Sequence, residues 1–413
     1  MTLERHQIKV KIQDEEPIKM KKNARKSEPK SWLICMIVGF ICLVGGLSCA
    51  LWVLLTPEEE LVALEFPSLP TKVDDQHNIY SNLTGLQLSN EAALTAPVYC
   101  IQTPNGMDGA RPQVGLDEAG VVFEAIAEAG ITRFAAIYQN PTSAVIGPIR
   151  SLRLYYLQWD TPFDCAIVHA GGADDALAAV RAGGYKDLTE NYVYMYRGGS
   201  SSRLWNNLFT TSANLAQMNA DWLYGESKVH GFKRMKPEEA YAARVNDTVV
   251  EKLVITKPSD KNLSELVPKV TDVAVNFGGM PNFNVRYTYN SENNTYVRGY
   301  ESGTPHEIYT CPREDLGEVN PENACSLMQL SPSVVVAIMV EEHKASDNYH
   351  EDIAAIGSGG AYIFQNGTVI AGTWSKTTVE DQIKFYDEAG SEVALVPGQT
   401  FVEAVPTYGS VEF

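Results

Sequence analysis

The chain has 413 residues, 45% apolar and 20% charged, which is room for two folded domains once a non-globular start is set aside. It carries 33 Lys/Arg against 51 Asp/Glu, a formal net charge of −18. A field of that sign excludes nucleic acid as a partner and confines any anion site to a local basic pocket.

Residues 1–31 form a basic arm with nine Lys/Arg and five Asp/Glu, and residues 32–55 contain no charged side chain. As a helix rising about 1.5 Å per residue, 32–55 exceeds the roughly 30 Å hydrocarbon layer, which predicts a single transmembrane helix. The basic arm before it and Glu58, Glu59 and Glu60 after it predict a plasma-membrane protein with a cytoplasmic N-terminus and an extracytoplasmic remainder. The run continues apolar through Ala50, Leu51 and Trp52 rather than ending in the small-residue site of a cleaved signal peptide, and Cys49 after Leu47 and Ser48 is a poor lipidation site. Beyond the arm, 24 basic and 46 acidic residues remain, a net charge of −22. Residues 56–95 are Pro- and Glu-spotted without periodicity and read as a stalk.

Residues 96–243 predict a mixed α/β domain. A short strand at 98–101 leads into a polar loop that carries Arg111 and Pro112, then a helical turn at 116–119. The run 121–128 fits helix or strand. Strand is preferred, because Ala129-Gly130 then makes a two-residue turn into ITRFAAIYQ. On an unbroken hairpin Glu128 faces Ile131, Ile126 faces Arg133 and Glu124 faces Ala135, so Glu124, Glu128 and Arg133 share one face. After Gly147-Pro148, residues 150–159 predict a helix with Arg150 and Arg153 in its first turn. Between Gly130 and Arg153 there are three arginines and no acidic residue, and such charges require carboxylates folded onto them or an anionic ligand.

A buried strand at 165–169 ends in His169 before Ala170-Gly171-Gly172, where a ligand can approach the backbone; a satisfied histidine under a loop is the alternative. A helix at 174–182 stops at Gly183-Gly184, and a polar loop with Arg203 and Asn207 leads to a helix at about 212–222. Cys100 and Cys165 sit in apolar strands and fit buried thiols. Cys311 and Cys325 bracket a short polar loop and predict a disulfide. No Cys/His spacing for zinc and no cofactor motif occurs, so no metal or cofactor is expected.

The ordered set ARPQ (110–113), EAGITRFAAIY (128–138), IGPIRSLR (146–153), HAGG (169–172) and Arg-x-x-Asn-Asn-Leu-Phe-Thr (203–210) resembles the YerB-like family of bacterial membrane-anchored extracytoplasmic proteins. The resemblance covers about residues 96–413. It implies a cell-envelope protein with a first domain of unknown function and a smaller β-rich C-terminal domain. It also implies a histidine where this chain has Asn206, and a lipid anchor in most members.

Residues 244–413 predict that β-rich domain, with strands at 273–277, 284–289, 296–298, 334–340, 383–386 and 400–405 and a hairpin turning at Asn366-Gly367. Trp374, Phe385 and Tyr386 read as core rather than as a sugar platform. The fold class is therefore α+β.

Two functions fit. One is a binding or interaction module in which Arg111, Arg133, Arg150, Arg153, Arg203 and Asn207 take an anionic or glycan-like ligand, such as a cell-wall polymer, or an envelope protein. The other is a hydrolase of a wall glycan or phosphodiester, with Glu124 or Asp160 as general acid/base and His169 as proton shuttle. No G-x-S-x-G, H-E-x-x-H, P-loop or Rossmann fingerprint accompanies the second. Both pockets require Glu124, Arg133, Arg150 and His169 to meet in one cleft.

Overall fold

The apolar runs between 98 and 189 form five strands: β1 (Val98–Pro104), β2 (Val121–Glu128), β3 (Ile131–Gln139), β4 (Ala166–His169) and β5 (Lys186–Thr189). The computed structural model describes residues 78–200, 203, 205–240, 243, 270–313 and 316–413. The basic arm, the run 32–55, most of the stalk and the domain boundary expected after 243 lie outside the described residues. Among those described, no helix is long and apolar enough to cross a membrane.

Ala129 and Gly130 both take positive φ, 51° and 75°, so β2 and β3 form the expected tight hairpin. Its register differs from the expectation. Glu128 does face Ile131, but Ile126 faces Thr132, Ala125 faces Arg133 and Glu124 faces Phe134, with the shift between Ile126 and Glu128. A one-residue bulge turns every side chain before it to the opposite face. Two tyrosines hold the bulge: Tyr155 Oη donates to Ile126 O at 2.8 Å, and Tyr156 Oη donates to Ala125 O at 3.1 Å.

Those tyrosines lie on α1 (Leu154–Asp160), followed by α2 (Asp174–Arg181) and α3 (Ser212–Asp221), with the small ladder β6 (Met195–Arg197) and β7 (Leu208–Thr210) between the last two. The helix expected over 150–159 starts later. Arg153 is its N-cap, at φ −124° and ψ 151°, and Arg150 precedes it in extended chain. The backbone of 149–152 is already committed: Ile149 N–H donates to Leu208 O, Arg150 N–H to Gln102 O and Leu152 N–H to Gly171 O.

Thirteen further strands follow residue 270. In order they are β8 (Asp272–Asn276), β9 (Val285–Asn290), β10 (Thr295–Tyr300), β11 (Glu307–Thr310), β12 (Ser326–Gln329), β13 (Val334–Val340), β14 (Glu342–Lys344), β15 (Glu351–Ile353), β16 (Gly357–Gln365), β17 (Thr368–Lys376), β18 (Lys384–Asp387), β19 (Thr400–Pro406) and β20 (Ser410–Glu412) among the described residues, with β6 and β7 completing the set before them. Strands from both sequence halves join one ten-stranded sheet, in the order β18-β17-β16-β13-β19-β2-β3-β1-β4-β5. The junction is a parallel pairing of β19 with β2, Thr400–Glu403 against Val121–Glu124. A second sheet, β10-β9-β8-β20, packs Val275, Val285 and Tyr287 against Val335, Phe364 and Val405 of the large one.

One face of the large sheet buries Phe123, Trp159, Phe163 and Phe232 in a ring cluster, and Trp374 and Phe385 belong to the same core, as expected. The fold begins earlier than a stalk ending at 95 allows. Leu83 is 1% exposed within this core, and a 3-10 turn spans Glu91–Leu94.

Cys311 is bonded to Cys325 as expected, and Cys100 is bonded to Cys165, which corrects the reading of that pair as thiols. The second bond links β1 to its parallel neighbour β4 across 65 residues of sequence. The Cys100→Ala/Cys165→Ala variant is expected to lose about 2–4 kcal/mol of unfolding free energy, read as a lower urea midpoint.

Candidate functional site

The bulge decides which charges meet. On the α1 side of the hairpin, Glu128 accepts from Arg133 Nη2 at 2.8 Å and from Arg153 Nη2 at 2.5 Å. Arg133 also donates to Ser151 O at 2.8 Å. Burial pushes the Glu128 carboxyl up, but the two guanidinium charges outweigh it and hold it below the usual range.

Glu124 lies on the opposite face and is fully buried. It accepts from Thr132 Oγ1 at 2.5 Å and Asn105 Nδ2 at 3.0 Å, and it forms an ion pair with Arg298 of β10. Directly across the β2–β19 pairing stands a second buried carboxyl, Glu403, which accepts from Tyr287 Oη. Burial, then the Glu124 charge, pushes Glu403 well above its ordinary value, against the pull of Arg298, whose Nε lies 3.9 Å from Glu403 Oε1. Arg298 Nε donates to Tyr287 Oη at 2.9 Å, and Arg298 Nη1 faces His306 Nδ1. Burial and the neighbouring cation push His306 well down, so its ring is neutral and Nε2 donates to Gln113 Oε1 at 2.9 Å. This network ties the two sequence halves together inside the protein.

Sequence reasoning missed Arg298 and Glu403, although both left a signal. Arg298 lies between Tyr296 and Tyr300 at the inward positions of an alternating strand, and Glu403 interrupts the apolar run of β19.

Arg111 donates Nε to Asn105 Oδ1 at 2.8 Å and its fork to Asn282 O, and it stacks 3.8 Å from the Tyr300 ring. Arg203 is buried against Glu322 at 2.9 Å. Asn207 accepts from Arg197 at 2.8 Å. Asp160 is buried and pushed well up by desolvation, and among the described residues its side chain has one hydrogen-bond partner, Gln102 Nε2 at 3.0 Å. His169 is capped on both ring nitrogens, by Gly171 O at 2.7 Å and Asp187 at 3.0 Å. Glu124, Arg133, Arg150 and His169 therefore do not meet: the sheet separates Glu124 from Arg133, and His169 is turned to β5. Gly172, read as room for a ligand, admits the chain itself, since a Cβ there would lie 3.1 Å from Leu152 O.

Arg150 is the exception. It stands where the carboxyl ends of the parallel strands β1, β4 and β5 lie side by side, the usual place for ligands of an open α/β sheet. Its Nε donates to Asn206 Oδ1 at 3.0 Å, and Asn206 Nδ2 donates to Asp108 Oδ1 at 2.9 Å. No carboxylate among the described residues forms an ion pair with it. Arg197, Glu190 and Asp108 are close enough to act on its charge.

Elsewhere, a cavity of about 270 Å³ is lined by Ile126, Gly130, Gly279, Glu342, Lys344 and Tyr408. Tyr408 Oη donates to Glu342 Oε1 at 3.0 Å. Burial, with the Glu351 charge nearby, pushes Glu342 up to about 7.

Two measurements follow from these groups. Arg298→Met leaves Glu124 buried without a counter-charge and is expected to cost about 3–5 kcal/mol, with part regained in Glu124→Gln/Arg298→Met, both read by chemical denaturation. Glu342 retains its proton in the fold at pH values where the unfolded chain has lost it, so its contribution to stability is full below pH 4.5 and falls as the pH rises to about 7. Relative to the parent chain, Glu342→Gln is expected to flatten the stability profile over that window.

Two family descriptions match the chain: "Protein of unknown function (DUF3048) N-terminal domain" over residues 83–223 and its C-terminal domain counterpart over residues 273–402. The Bacillus subtilis (strain 168) protein named "Putative lipoprotein YerB" is 25% identical over 336 residues, 81% of this chain and 88% of that one. The crystal structure of YerB protein from Bacillus subtilis superposes with a TM-score of 0.62 at 20% identity, covering 81% of this chain and all of the other, so the two share a fold. With both domain families matched in order and the same architecture, the chain belongs to the YerB-like family.

Proposed function

We propose a membrane-anchored, extracytoplasmic binding module whose ligand carries an anionic group to Arg150. The observation that carries this reading is the half-buried Arg150 guanidinium, which has one carboxamide partner and no carboxylate, at the carboxyl ends of β1, β4 and β5. A guanidinium that no carboxylate among the described residues contacts can take an anion from solution. Arg133, Arg153 and Arg203 already have carboxylates, and Arg111 is engaged by carbonyl oxygens and rings.

The uncharged run 32–55 supports an anchor in the plasma membrane with the basic arm inside, and a relative named as a lipoprotein fits an anchored family. A cell-wall polymer or envelope protein outside the membrane is the partner class in this reading. A hydrolase with Glu124 and His169 as acid and base has no observation in its favour, because Glu124 is sealed beside Arg298 and His169 is capped on both nitrogens.

The test is titration of the full chain in detergent with inorganic phosphate and with acetate, followed by calorimetry. Arg150→Met is expected to weaken both by about tenfold or more, while Arg111→Met leaves them unchanged. Equal affinity in the parent and Arg150→Met chains overturns the reading.

A further inference from the structure

We infer that the ligand at Arg150 is an acidic saccharide, whose carboxylate meets Arg150 and whose apolar ring face stacks on Trp205. This rests on the reading of Arg150 as the anion subsite and adds the class of molecule that carries the anion.

Trp205 precedes Asn206, the residue that accepts from Arg150 Nε, and its side chain is 71% exposed with no ring partner among the described residues. Tyr192 is 61% exposed. Arg197 links Tyr192 to Asn207, two residues after Trp205: it donates to Asn207 Oδ1 at 2.8 Å, to Glu190 Oε1 at 2.8 Å and to Tyr192 Oη at 3.0 Å. Exposed aromatic rings interleaved with planar amide, guanidinium and carboxylate groups suit a pyranose, which offers a C–H face for stacking and hydroxyls that both donate and accept. A protein partner would favour a contiguous apolar centre over a hydrogen-bonded polar chain.

The acidic character follows from charge. Glu190 pairs with Arg197, whereas Arg150 contacts the Asn206 carboxamide and no carboxylate among the described residues. Asp108 and Glu190 flank it, and 46 acidic residues beyond the arm oppose 24 basic ones. Such a setting takes one carboxylate and repels a dense run of phosphates.

The test titrates the full chain in detergent with trigalacturonic acid, neutral maltotriose, acetate and inorganic phosphate, followed by calorimetry and tryptophan fluorescence. Trigalacturonic acid is expected to bind at least about tenfold tighter than either maltotriose or acetate. Trp205→Ala is expected to weaken trigalacturonic acid by about 3- to 10-fold with acetate and phosphate unchanged. Arg150→Met is expected to bring trigalacturonic acid down to the level of maltotriose. Trigalacturonic acid no tighter than acetate, or indifferent to Trp205→Ala, overturns the saccharide; if acetate and phosphate still depend on Arg150, the anion subsite stands without it. If no probe depends on Arg150, both fall. Because Trp205 is exposed, the parent urea midpoint is expected in Trp205→Ala, which separates lost binding from lost folding.

Discussion

The architecture depends on one buried cation. Arg298 reaches from the smaller sheet into the large one and neutralises Glu124, while burial and the Glu124 charge push Glu403 opposite well up. Two ionised carboxyls facing each other across β2 and β19 would repel in a low-dielectric interior. The Arg298 guanidinium, with the Tyr287 hydroxyl on Glu403, lets those strands pair side by side, and that pairing turns two sequence segments into one sheet. Tyr287, His306, Gln113 and Asn105 complete the hydrogen bonds, so the polar cluster is distributed over both halves of the chain.

The same bookkeeping of charge explains most of the arginines that the sequence groups into one pocket. Glu128 serves Arg133 and Arg153, and Glu322 serves Arg203. Basic residues that looked like a pocket in sequence are mostly the means by which loops are fastened to the sheet. Arg150 differs because its backbone is fixed between β1 and the loop after β4, while its side chain emerges beyond the strand ends.

Local chemistry was legible in the sequence. The strand runs, the Ala129-Gly130 turn, the Asn366-Gly367 hairpin and the Cys311–Cys325 loop all depend on neighbouring residues. The bulge before Glu128 was not, because it is held by Tyr155 and Tyr156 from a helix that follows the hairpin. A one-residue shift then sent Glu124 to a partner 174 positions away. The Cys100–Cys165 bond was hidden for a similar reason, since only the sheet order makes β1 and β4 neighbours. Arg150 was visible as a residue, but that no carboxylate among the described residues pairs with it was not, since this depends on the complete set of carboxylate positions.

The place of β19 bears on how the chain is made. It is the penultimate strand, yet it lies in the interior of the sheet, between β13 and β2. Until residues 400–406 are synthesised, β2 presents an unpaired edge and Glu403 is missing from the polar cluster. The N-terminal half must therefore persist through most of translation with an open strand edge, which favours mispairing with other chains. Premature termination anywhere before residue 400 leaves that edge permanently bare, so truncated products should be recognised as misfolded even when the first half is intact.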